Sequence, residues 1–115
     1  MTDESIRRAV EEFRAESADF ASPRAEAEWG RIADWDVSGV RSMRALFQCA
    51  DKFRGDLSLW EMGACVDMHR MFQYATAFRA DLSAWSVGAG TDTHDMFLFA
   101  DAFDRARHAP WLKRR

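Results

Sequence analysis

Residues 46–60 read LFQCADKFRGDLSLW and residues 71–85 read MFQYATAFRADLSAW, so one motif occurs twice at a spacing of 25 residues. A weaker third copy follows, because Trp35, Trp60 and Trp85 are equally spaced along the chain. Repetition at a fixed period of about 20–50 residues is typical of repeat proteins, in which each unit buries its apolar face against its neighbours. The sequence therefore predicts three repeat units, at 35–59, 60–84 and 85–109.

Alignment of the three units on their tryptophans places further apolar residues in shared columns. The columns contain Phe47, Phe72 and Phe97; Ala50, Ala75 and Ala100; and Phe53, Phe78 and Phe103. The chain has nine Phe and five Trp but a single Tyr, and these columns account for most of that imbalance. The aromatic residues are thus predicted to be one set of core positions that is used three times.

The spacing around each tryptophan resembles a leucine-rich repeat. The segment from Leu57 to Cys65 reads LxxWxMxxC, which fits the LxxLxLxxN/C frame, and a period of 25 lies within the expected range. Apolar and polar residues alternate here, which predicts a short strand at 60–62. In that strand Trp60 and Met62 point inward and their neighbours point outward. The outward residues are predicted to contact a ligand on a concave face; they are Asp34, Asp36, Leu59, Glu61, Ala84 and Ser86.

The second half of each unit changes to helical spacing. Met68, Met71 and Phe72 fall at i, i+3 and i+4, which favours one stripe of a short helix. A residue type that commonly caps helices precedes this stripe in all three units, at Ser42, Asp67 and Asp92. A strand, a turn and a short helix in each unit predict the α/β fold class, as a short right-handed solenoid of the leucine-rich-repeat type.

The two ends of the chain depart from the repeat. Apolar residues from Ile6 to Phe20 follow a helical period, and Ser22 and Pro23 suit the start of a second helix, so residues 1–28 are predicted to be an N-terminal helical cap. The repeat region is predicted at 29–109. Pro110 stands where a fourth tryptophan would be, so residues 110–115 are interpreted as a basic tail, with Trp111 folding back over the last unit.

Size and charge exclude several functional classes. A chain of 115 residues is long enough for one compact domain and too short for a multidomain enzyme. The net charge of -3 argues against a nucleic-acid partner, and no apolar segment is long enough to span a membrane. The N-terminus, MTDESIRRAVEEF, lacks the features of an export signal, so the chain as written is expected to be intracellular, with its compartment otherwise unknown.

No residues form a convincing catalytic, cofactor or metal site. His69 and His94 share a repeat column, but a third ligand is missing, so a solvated face is favoured over a metal site. Asp56 and Asp81 are predicted to bind backbone N–H groups in turns, since a catalytic triad needs one converging set of residues rather than repeated copies. Both cysteines are expected to be free thiols in apolar positions.

The repeat motif, in which MF, A and F are followed by DLS and W, is similar to that of the BspA-type leucine-rich repeat proteins. The likeness is to the branch known from mycoplasma surface lipoproteins, which is classed as a domain of unknown function. The resemblance covers about residues 29–104. Family members carry Asn after the second Phe, where this chain has Arg54 and Arg79. The resemblance implies surface exposure and adhesion in some members, and the absence of a signal peptide or lipidation cysteine argues against carrying that property over.

These observations favour a non-catalytic repeat module for protein–protein interaction, with an unidentified protein partner and possible self-association. Four short strands would give a concave sheet of only about 200 Å². A standard interface needs about 800 Å² per partner, so tight binding requires help from flanking loops or further units. Two alternatives stay open: a structural or remnant fragment of a longer repeat array, and a carbohydrate-binding or adhesive surface that uses exposed tryptophans.

Overall fold

In the computed structural model, which describes residues 1–112, the helices lie towards the two ends of the chain. Helix α1 spans Asp3–Glu16, helix α2 spans Pro23–Trp29 and helix α3 spans Arg105–His108, with a 3₁₀ turn at Ile32–Asp34. Between residues 35 and 104 there is no helix and no sheet. Backbone pairing there is confined to isolated parallel bridges that join Ser42 to Asp67 and Asp67 to Asp92.

The prediction of an α/β solenoid of the leucine-rich-repeat type is therefore wrong. The segment 60–62 is not a strand, and the N–H of Trp60 instead closes a turn on the Leu57 carbonyl oxygen at 3.1 Å. The segment 67–75 is a series of turns rather than a helix, because Arg70 and Tyr74 have φ angles of 58° and 62°. A right-handed helix requires a negative φ at every residue, so these two positions interrupt it.

The three units nevertheless lie side by side, joined by backbone hydrogen bonds between residues in equivalent positions. The carbonyl oxygens of residues 67, 69, 71 and 73 accept from the preceding unit, and the N–H groups of residues 68, 70, 72 and 74 donate to the following unit, at 2.7–3.0 Å. The intervening N–H groups close turns within the unit, as from Met71 to the Met68 carbonyl oxygen at 3.1 Å. Successive N–H groups thus bond alternately to the neighbouring unit and within their own unit. This pattern replaces the hydrogen bonds of the expected helix.

The three residues predicted to cap helices cap turns instead. Asp67 Oδ1 accepts from the N–H of His69 at 3.1 Å, and Asp92 Oδ1 accepts from the N–H of His94 at 2.9 Å. Each side chain thus imitates a backbone turn two residues further on. These side chains bind backbone N–H groups, as the prediction of caps requires. The predicted helix after them is wrong, because a turn follows instead.

Asp56 and Asp81 bind backbone N–H groups in turns, as predicted. Their Oδ1 atoms accept from the N–H groups of Ser58 and Ser83, each at 2.9 Å. Hydrogen bonding to these serines lowers the pKa of both carboxyl groups, because the bonds favour the ionised form. These two carboxylates therefore have a structural role in the first two units.

The core consists of stacked phenylalanine columns, and these columns were predicted correctly. Phe72 stacks on Phe47 with ring centroids 5.6 Å apart and on Phe97 at 5.5 Å, and the planes are within 3° of parallel. A second column stacks Phe53 on Phe78 at 5.8 Å. Repetition of one residue type at one position thus gives a continuous aromatic stack through all three units.

The tryptophan column is also part of the core. Trp35, Trp60 and Trp85 are at most 6% exposed. Trp60 Nε1 donates to the Ile32 carbonyl oxygen at 2.9 Å, and the indoles of Trp85 and Trp111 make equivalent bonds to the preceding unit. Trp111 stacks on Trp85 at 5.9 Å, which confirms that the chain folds back after Pro110. Buried rings cannot stack against sugars, so the carbohydrate alternative loses its expected platform.

The first helix closes the N-terminal end of the aromatic stack. Thr2 caps α1 through a capping box with Ser5, and the apolar side of the helix is fully buried, including Ile6 and Phe13. Ser22 caps α2, and Pro23 occupies its first turn. Both helices lie where the sequence predicted them. No helix within residues 1–112 is long and apolar enough to cross a membrane, and residues 113–115 of the predicted basic tail lie outside the described residues.

The two cysteines differ in exposure, which makes them a test of the repeat packing. Cys65 is buried and its pKa is raised by burial, whereas Cys49 is exposed, contrary to the expectation of an apolar position. We expect a disulfide reagent at neutral pH to modify Cys49 at least about tenfold faster than Cys65, because only an accessible thiolate reacts. Mass spectrometry of the single variants Cys49→Ser and Cys65→Ser measures the two rates, and equal rates would contradict this packing.

Candidate interaction surface

The six residues predicted to contact a ligand are all exposed, in two columns at successive repeat positions. They are Asp34, Asp36, Leu59, Glu61, Ala84 and Ser86. No sheet underlies them, so they do not form the expected concave sheet surface. Leu59 is 81% exposed and is the largest apolar side chain of the set, whereas Asp36 is hydrogen-bonded to Ser38. Their role in binding stays a prediction.

A second surface, which the sequence analysis missed, carries most of the large exposed apolar side chains. We call Tyr74, Leu98 and Phe99 the aromatic surface; they are 46%, 36% and 54% exposed. The rings of Tyr74 and Phe99 stack with centroids 5.1 Å apart and planes 21° from parallel. Two adjacent units thus present a stacked aromatic pair to solvent, beside an aliphatic side chain.

The backbone under the aromatic pair is in an unfavourable conformation. Tyr74 and Phe99 have φ angles of 62° and 59°, and Cys49, the equivalent residue of the first unit, has 62°. Residues other than glycine pay roughly 1–2 kcal/mol in this left-handed region. The turns require the conformation in every unit, yet this chain places large aromatic residues there instead of glycine. The same conformation at Ala45, Arg70 and Asp95 shows that the strain belongs to the repeat turns, whereas the exposed aromatic rings are particular to positions 74 and 99.

Stacked imidazoles lie further along the same repeat segments. His69 and His94 have ring centroids 5.2 Å apart and are 12° from parallel. Carboxylates lie beside them, with His94 Nε2 3.3 Å from Asp95 Oδ2 and His69 Nδ1 3.9 Å from Asp92 Oδ1. Within residues 1–112 no group of three or more potential ligands could hold a metal ion. The histidines therefore contribute a polar, titratable border to the surface.

The sequence contained only a weak signal for this surface. In the alignment of units, Cys49, Tyr74 and Phe99 share a column whose members differ in size, unlike the invariant phenylalanine columns. Variation in size is only a weak indication of exposure, because the column of Leu46, Met71 and Met96 also varies and is buried. The assumed helix concealed this point, because its apolar stripe omitted the column.

A family model described as "Mycoplasma protein of unknown function, DUF285" matches residues 16–111. The match covers most of the chain, so the chain belongs to this family. It confirms the expected branch, a domain of unknown function from mycoplasma, and does not extend to the BspA-type leucine-rich repeat name. No curated protein and no solved structure matches the chain.

Proposed function

We propose that this member of the DUF285 family is a non-catalytic module that binds a protein partner through the aromatic surface. The observation that supports this proposal is the exposed Tyr74–Phe99 stack on left-handed backbone. Exposed apolar groups at neighbouring positions commonly mark protein interaction sites. Aromatic residues are also enriched among the side chains that contribute most to binding energy at such sites.

The composition around the stack suits a protein ligand. Leu98 is a further exposed apolar residue next to Phe99 in the sequence, and Arg70 and Asp95 supply charges of opposite sign in the same repeat segments. An apolar centre with a polar border is the usual anatomy of a protein interface. A peptide that offers an apolar anchor and one or two polar groups would fit this arrangement.

Backbone strain separates a binding role from a structural one. Glycine adopts the left-handed region without a steric cost, although it loses more chain entropy on folding, about 0.5–1 kcal/mol. Over both residues, glycine relieves about 2–4 kcal/mol of strain and adds about 1–2 kcal/mol of entropy cost, and loss of the Tyr74–Phe99 stack costs about 0.5–1.5 kcal/mol more, so the terms nearly cancel. Replacement of both aromatics by glycine should therefore change the free energy of unfolding by no more than about 1–2 kcal/mol.

We expect the double variant Tyr74→Gly and Phe99→Gly to fold but to lose binding. Peptides selected from a displayed random library on the wild-type chain should bind the variant at least about tenfold more weakly, because an anchor contact contributes 2 kcal/mol or more. Isothermal titration measures the affinities, and urea unfolding measures stability. The matched control is Leu59→Ala, which removes an exposed apolar side chain from the other surface.

The control also decides between the two candidate surfaces. Unchanged affinity in the glycine variant, together with a loss of affinity in Leu59→Ala or Glu61→Ala, would place the site on the six sequence-predicted residues and contradict our proposal. A failure to select any saturable peptide ligand would contradict the interaction module as a whole.

A further inference from the structure

The repeat units have a backbone polarity that runs in one direction along the stack. Every hydrogen bond between segments 43–49, 67–74 and 92–98 is donated by an N–H of the earlier unit to a carbonyl oxygen of the later one. Four such bonds join the first unit to the second and four join the second to the third, all at 2.7–3.0 Å. Along these segments, one edge of the stack therefore presents carbonyl oxygens and the opposite edge presents N–H groups. Bonds just outside the segments, such as that from the Asp92 N–H to the Val66 carbonyl oxygen, run the other way.

The N-terminal helix satisfies the carbonyl edge. Arg7 of α1 donates to the Arg44 carbonyl oxygen at 2.7 Å, and Arg14 donates to those of Gln48 at 3.1 Å and Leu46 at 3.5 Å. These oxygens are equivalent to the ones that accept from the preceding unit elsewhere in the stack. Two guanidinium groups thus take the place of a preceding unit.

The N–H edge has no such cover. The N–H groups of Thr93, Asp95, Phe97 and Phe99 correspond to those of residues 68, 70, 72 and 74, and none of them has a hydrogen-bond partner within residues 1–112. Thr93, Asp95 and Phe97 line a groove of about 1360 Å³, whose other side is formed by Arg105, Ala106, residues 109–110 and Leu112, and Phe99 lies just beyond it. Trp111 packs on Phe97 with ring centroids 6.4 Å apart and so covers part of the apolar end of the core.

We infer that this N–H edge binds an extended segment of a partner protein, which pairs its backbone carbonyl oxygens with the four donors. The donors alternate along the chain, as they do towards a neighbouring parallel strand. Addition of a peptide to a free backbone edge is a common mode of recognition, in which main-chain hydrogen bonds supply the affinity. The inferred site uses backbone atoms at the end of the stack, whereas the proposed function uses the Tyr74 and Phe99 rings; the two sites adjoin at Leu98 and Phe99.

A second copy of the chain does not fit this edge. The four N–H groups of another copy cannot accept from these donors, and its carbonyl edge is covered by α1, whose apolar side is fully buried. A free anion is disfavoured as well, because the carboxylates of Asp92 and Asp95 outnumber the one guanidinium, Arg105, in the same groove. Neutral carbonyl oxygens of a peptide backbone satisfy the donors without bringing another negative charge beside these carboxylates.

The test compares Thr93→Pro with Thr93→Ala in the full chain. Proline removes the first donor of the edge and places its ring where the carbonyl oxygen of the partner would lie, and within residues 1–112 no internal hydrogen bond is lost. Alanine keeps the N–H and serves as the matched control. Peptides from a displayed random library, selected on the chain with the Tyr74→Gly and Phe99→Gly substitutions, should bind the proline variant of that chain at least about tenfold more weakly than the alanine variant.

Amide hydrogen exchange on the unmodified chain gives a second measurement that needs no variant. Without ligand, the amides of residues 93, 95, 97 and 99 should exchange faster than their hydrogen-bonded equivalents in the second unit, and a selected peptide should slow all four. Equal affinity for the proline and alanine variants, no selectable peptide, or protection by inorganic phosphate but not by peptide would each overturn the inference. The chain used for this selection lacks both aromatic side chains. A negative result for the N–H edge therefore leaves the proposed function unaffected.

Discussion

Trp60→Ala is expected to lower the free energy of unfolding by about 3–5 kcal/mol, enough to unfold most of the chain at ambient temperature. Trp60 is 3% exposed, and its ring stacks on Trp35 at 6.1 Å and contacts Phe47 at the same centroid distance. Its loss leaves a large cavity between two units, and a thin stack has few other layers that could compensate. Urea unfolding followed by circular dichroism measures the effect, and a loss below about 1 kcal/mol would contradict the core position of this column.

A pair of milder variants isolates the hydrogen bond of the indole. Trp60→Phe retains most of the ring but removes one of the two donors to the Ile32 carbonyl oxygen, which keeps the N–H of Trp35, so we expect a cost of about 0.5–1.5 kcal/mol. Trp29→Phe removes an indole N–H that is buried without a partner within residues 1–112, and should cost less. Similar costs for the two variants would show that the tryptophan hydrogen bonds contribute little.

The period and the core columns could be predicted from the sequence, because they depend on which side chains must be buried. Phe72 and Trp60 are buried in any fold that stacks units of 25 residues on one another, whatever their backbone conformation. The conformation within a unit was mispredicted, because Met68, Met71 and Phe72 have helical spacing. Consecutive turns with a left-handed residue between them bring the same three side chains to one side.

The left-handed residues explain why sequence patterns failed at this point. Glycine or asparagine at positions 70, 74, 95 and 99 would have indicated turns with positive φ, but the chain has Arg, Tyr, Asp and Phe there. For the same reason the aromatic surface was not anticipated. Tyr74 and Phe99 lie outside the apolar stripe of a helix, and only the observed turns bring their two rings together.

Phe72→Ala is expected to have an effect comparable to that of Trp60→Ala, about 3–5 kcal/mol. Its ring is fully buried and is stacked on both sides within its column, and it also packs on Phe78 with centroids 4.1 Å apart. The alanine would interrupt both phenylalanine columns at the middle unit, where no terminal helix can move in to fill the space. Urea unfolding should show a lower midpoint, with loss of the cooperative transition if the units separate.

The matched control is Phe99→Ala, which deletes the same side chain from an exposed position that shares the third unit with Phe97. Its ring contacts Tyr74 alone among the aromatic residues, so the expected cost is at most about 1.5 kcal/mol. Each substitution removes one phenylalanine from a stacked pair or column, and only burial and the number of stacked neighbours differ between them. If both cost more than about 3 kcal/mol, the exposed pair would be part of the structural stack, and the aromatic surface would not be free to bind a partner.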